Sequence, residues 1–143
     1  MSADRNPPPP APARPGGFGE GREPPQGGGE AAAPCDLGRL RQKTLGDPAF
    51  LAELLDIFRE DLPGHLEALR GALWRREAEE LSRAAHAFLG SLRLLEAAEA
   101  TGLASRLRKR AQAGDFAGAA LTLTALEAEV ERLAAFLAAV YPR

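Results

Sequence analysis

Among the side chains that can act as nitrogen or thiolate nucleophiles, the chain offers two histidines, His65 and His86, and one cysteine, Cys35. A neutral imidazole can attack phosphorus or carbon directly, and it does so near neutral pH because its ordinary pKa lies there. A single cysteine excludes an internal disulfide and any multi-cysteine zinc or iron-sulfur site, and it fits a reducing compartment. We read Cys35 as an unpaired thiol near a domain edge. The sequence has no glycine-rich nucleotide loop, no metal-ligand cluster and no catalytic triad. It is therefore read as no enzyme with an active site of its own, and no cofactor is expected.

The two histidines differ in their surroundings. At about 100° per residue, His86 falls one position past the apolar seam of its helix, so its imidazole should be exposed. Its face carries Glu79, Ser82, Arg83, Leu89, Gly90 and Arg93. Gly90 is the odd member, because a glycine inside a helix costs about 1 kcal/mol relative to alanine. Close approach of another molecule would explain it. His65 follows Pro63-Gly64 and has no such setting, so its role is read as structural or solvent-facing.

Helices must position these groups, since Ala, Leu, Glu and Arg dominate while strand formers are scarce. Asp36 should cap a short helix ended by Gly46. Asp47-Pro48 is a strong start signal for a second helix with Phe50, Leu51, Leu54, Leu55, Ile57, Phe58 and later leucines on one broad face. Pro63 should kink it. A third helix, from about Glu77 to Leu94, has its seam at Leu81, Ala85, Phe88, Leu92 and Leu95. The fourth runs from about Ala97 to Ala113, and Asp115 caps the fifth. Trp74 and Phe116, at helix ends, are read as core. The expected fold class is all-α: an antiparallel four-helix bundle with a short additional N-terminal helix over residues 35–143. Residues 1–34 hold 9 of the 12 prolines and 7 of the 15 glycines, so they are expected to form a disordered tail.

The string Ala85-His86-Ala87-Phe88-Leu89-Gly90-Ser91 resembles the motif of the histidine-phosphotransfer (HPt) domain family. There the accepting histidine is followed by an apolar residue at the second position, lysine at the third and glycine at the fourth. Phe50 to Phe58, the downstream Arg-rich helix, the Ala113-Gly114-Asp115 turn and Leu126-Glu127-Ala128-Glu129 follow the family layout, so the similarity spans roughly residues 36–140. Two positions depart from it: Leu89 stands where the lysine is usual, and Glu96 where a glycine is common. Arg93, seven residues past His86 on nearly the same line, would lean back toward the imidazole and stand in for the lysine, whereas Arg83 leans away.

The resemblance implies a phosphocarrier in a multistep two-component phosphorelay, with His86 taking a phosphoryl group from a receiver-domain aspartate and passing it to another receiver. Ser82, Arg83, Leu89, Gly90 and Arg93 would contact the phosphoryl group or the partner, with Leu89 part of an apolar docking surface. Receiver domains of response regulators or hybrid sensor kinases are the implied partners, and the receiver would bring the magnesium. A second reading stays open: a non-phosphorylated HPt-like adaptor that docks receiver or kinase domains. The net charge of -2 gives no field for nucleic acid or an anionic membrane. The cluster Arg106, Arg108, Lys109 and Arg110 is read as a solvated face balanced by Glu127, Glu129 and Glu131. With no spanning segment and no secretory leader pattern, a cytoplasmic monomer is expected.

Overall fold

Helix starts are set by short acceptor side chains that take orphan backbone N–H groups. In the structure, a computed structural model that describes residues 33–142, α1 (Leu37–Lys43) opens with the Asp36 carboxylate accepting from the Arg39 N–H at 3.1 Å. Asp47 accepts from the N–H groups of Ala49 and Phe50 to start α2 (Pro48–Trp74), with Pro48 in its first turn. Asp115 accepts from the Gly118 N–H at 2.9 Å at the head of α5 (Phe116–Val140). Between them, α3 (Ala78–Leu94) and α4 (Ala98–Gln112) start without a side-chain cap, and both carry glutamates in the first turn, where the helix dipole favours them.

The three turns that join α2 to α5 share one device. In each, a residue just past the helix takes a left-handed conformation and the next N–H bonds back to a carbonyl five residues earlier: Glu77 to Ala72, Ala97 to Leu92, and Asp115 to Arg110. The left-handed positions are Arg76, Glu96 and Gly114, with φ of 55°, 59° and 69°. Only the last is a glycine. The turn after α1 has the same six-to-one bond, from Gly46 to Arg41, with Leu45 and Gly46 both left-handed.

These tight turns fold α2 to α5 into an antiparallel bundle in which α2 packs on α3, α3 on α4, α4 on α5, and α5 closes the ring against α2. The core is built from leucines with Phe58 and Phe88, and Leu81, Phe88, Leu92, Leu107, Leu126 and Leu133 are fully buried. Alanines at 85, 100, 104 and 111 are also buried and let α3 and α4 approach closely. Leu40 of α1 enters this core, while the Lys43 ammonium donates to the carbonyls of Arg93 and Leu94 and pairs with Glu96 at 2.6 Å. α1 thereby closes the open C-terminal end of α3.

The broad apolar face expected on α2 is narrower in fact. Phe50 and Ile57 are 46% and 50% exposed, because they lie more than about 100° round from the buried line of Leu51, Leu55, Phe58 and Leu69. Trp74, read as core, is 85% exposed: it is the last residue of α2 and only borders an open groove against the start of α5, beside Phe116 and Ala120, with no helix covering its ring. Phe116 is half-buried with the Arg76 guanidinium 4.7 Å above its ring. α2 continues through Pro63 as one helix. Pro34, just ahead of α1, is buried. The rest of the expectation for residues 1–34 lies outside the described residues. No described helix is long and apolar enough to cross a membrane.

Candidate functional site

The geometry around His86 follows from which flank of α3 meets which neighbour. Phe88 stacks on the His65 ring of α2 with centroids 4.9 Å apart, so that flank of α3 belongs to α2. The opposite flank, with Ser82 and Leu89, lies by register on the side of α3 that meets α4, and His86 falls beyond it on the outer face. His86 itself is exposed in mid-helix, as its register predicts. Gly90, one turn later, is exposed too, and a Cβ there would meet nothing within 4 Å. The imidazole thus stands beside a stretch of bare backbone open to an approaching molecule.

The other expected site residues divide. Ser82 is half-buried one turn before His86. Arg83 is exposed but engaged on its own helix, 2.6 Å from Glu80 and 4.0 Å from Glu79, so it leans away as expected. Leu89 is not a docking surface. It is only 4% exposed because the flank of α3 that carries it lies under α4, and helical register alone did not reveal that cover. Arg93 is exposed and forms no ion pair with another described residue. It lines a shallow groove with Glu96, Ala97, Ala98, Thr101 and Gly102 at the α3–α4 turn, about 10 Å along the axis from His86.

Glu96 has left-handed backbone, the conformation a glycine adopts without cost, which gives a physical reason for glycine to be common at this position. Here the carboxylate is held by Lys43, a contact between residues far apart in sequence that local patterning does not report. His65 is half-buried, and burial lowers its pKa below 6.5 against an opposing pull from Asp61. Its stack on Phe88 gives it the structural role read from sequence.

The basic cluster of α4 is not balanced as expected. Glu127 pairs with Arg70 of α2 and Glu129 with Arg132 on its own helix, while Arg110 pairs with Asp115 at 3.1 Å. Arg106, Arg108 and Lys109 make no ion pair with another described residue. Cys35 is buried at the edge of the core, and its thiol is pushed up to about 11, first by burial and then by Asp36 and Glu96.

Comparison with known proteins agrees with this architecture. No curated protein and no solved structure matches the chain. A family model for the Hpt domain matches residues 53–136, more than half of the chain. That span takes in most of α2, all of α3 and α4 and most of α5, the four helices that carry or surround His86. The chain belongs to the Hpt domain family, the helical modules of histidine phosphotransfer in phosphorelays.

Proposed function

We propose that this protein is a phosphocarrier in a multistep two-component phosphorelay and that His86 is its phosphoacceptor. The observation that carries the reading is His86 exposed at the middle of α3 beside the bare backbone of Gly90. A lone pair on the neutral imidazole attacks the phosphorus of a receiver's aspartyl phosphate. The N–P bond forms as the O–P bond to the aspartate breaks, and the carboxylate leaves. The reverse sequence delivers the group to a second receiver. Ser82 and Gly90 flank the imidazole as partner contacts, with Arg83 at their edge and Arg93 two turns further along the same face, and the incoming receiver supplies most of the charge stabilisation.

Incubation with a phosphorylated receiver domain should place an acid-labile, base-stable label on the protein that disappears in His86→Gln. A label that survives His86→Gln would refute the assignment. The burial of Leu89 where the motif expects a lysine favours a second reading, an adaptor that binds receivers without accepting phosphate. Stoichiometric binding with no transferable label would establish that reading instead.

A further inference from the structure

The face of α4 that meets α3 can be identified from both of its flanks. Arg110 lies against α5: its guanidinium pairs with Asp115, and its Cδ sits 3.1 Å from where a Cβ on Gly118 would be. Thr101 and Gly102, on the opposite flank, share the groove that Arg93 of α3 lines. Thr101, Ser105 and Arg108 recur on that flank at steps of four and three, and all three are half-buried, as residues in a helix–helix groove should be. By helical register Ser82 and Leu89 lie on the same flank of α3 as Arg93, with His86 at its outer edge.

Height along the bundle then pairs these residues. The turn joins Leu94 to Ala98, so in the antiparallel hairpin His86 comes level with about position 106 of α4. Arg108 starts about 3 Å further along, and its side chain leans toward the N-terminus of α4, back to the level of His86. The imidazole leans toward the N-terminus of α3, which brings it toward Arg108 from the other side. Among the described residues Arg108 has no carboxylate partner.

We propose that Arg108, reaching across the α3–α4 groove, holds the phosphoryl oxygens carried by His86 and supplies the positive charge that Leu89 cannot. This rests on the reading of His86 as phosphoacceptor. A guanidinium suits the task because its planar fork donates two hydrogen bonds to phosphate oxygens. It exchanges no proton in the step and remains cationic throughout. The charge thus comes from the neighbouring helix instead of from the helix that bears the histidine.

The test uses the whole chain and two donors, a phosphorylated receiver domain and phosphoramidate, which phosphorylates histidine without any protein partner. Arg108→Ala and Arg108→Gln should slow labelling of His86 from both donors by about tenfold or more, as loss of a hydrogen bond to a charged group would do. The half-saturating receiver concentration and the helical circular dichroism should not change. Arg108→Lys should recover most of the rate, and Arg106→Ala should match the parent protein. Wild-type labelling rates in both Arg108 variants would overturn the proposal, as would an equal loss in Arg106→Ala. Labelling by phosphoramidate but by no receiver would refute the phosphorelay reading alone, with the Arg108 comparison still decided by the small donor. Failure of His86 to take label from either donor would overturn both.

Discussion

Glu96 shows how one side chain can occupy a backbone position that disfavours it. A non-glycine residue in the left-handed region costs about 1 kcal/mol, yet the Glu96 carboxylate also holds Lys43, whose ammonium closes the end of α3. Substitution should separate the two effects. In Glu96→Gly, relief of the backbone cost offsets the lost ion pair, and the thermal midpoint should move little. Glu96→Ala keeps the backbone cost and loses the pair, so stability should fall by about 0.5–1 kcal/mol, a midpoint drop of a few degrees for a domain of this size. Thermal unfolding followed by circular dichroism checks both, and a midpoint in Glu96→Ala at or above that of Glu96→Gly would contradict the account. Sequence reading named Glu96 as a departure from the motif. It did not supply the reason, because a partner 53 positions away leaves no local pattern.

At the scale of elements, what was legible was whatever a single helix decides for itself. Asp36, Asp47 and Asp115 cap the helices they were expected to cap, and the exposure of His86 follows from the period of α3 alone. What was hidden depends on neighbours. Leu89 and Arg108 both stand at flank positions, and which neighbouring helix each flank meets is decided by the order of helices around the bundle. The same limit explains Trp74 and the partners of Glu127 and Glu129. Within α2, Pro63 leaves the Arg59 carbonyl without its helical donor, yet the helix persists because the buried line from Leu51 to Ala72 anchors both halves. Pro63→Ala restores the missing bond at an exposed site and should stabilise the domain by about 1–3 kcal/mol. Urea unfolding measures this directly, and a lower midpoint in the variant would show that the bundle depends on the backbone conformation the proline fixes.

Across the described residues as a whole, the short turns gather the helices round one core, and the elements differ in how firmly they join it. The long helices interlock along their lengths, whereas α1 is tied by Leu40, by Lys43 and by the Asp36 N–H bonded to the Glu96 carbonyl at 2.9 Å. A short, lightly tied helix at the edge of a core belongs to the part of a fold that opens first. Cys35 lies at its base, shielded from solvent, with a thiol held about 11 and thus almost wholly protonated at neutral pH. Its reactivity is therefore a clock on that opening: a maleimide can reach it only while the segment has lifted away. Alkylation should outpace global unfolding in mild urea, with the far-ultraviolet signal still native, and should quicken in Lys43→Ala. Labelling that kept step with loss of the whole helical signal would mean that the first helix and the bundle come apart as one cooperative body. The one sulfhydryl of the chain then becomes a gauge of how often the end of α3 is uncapped.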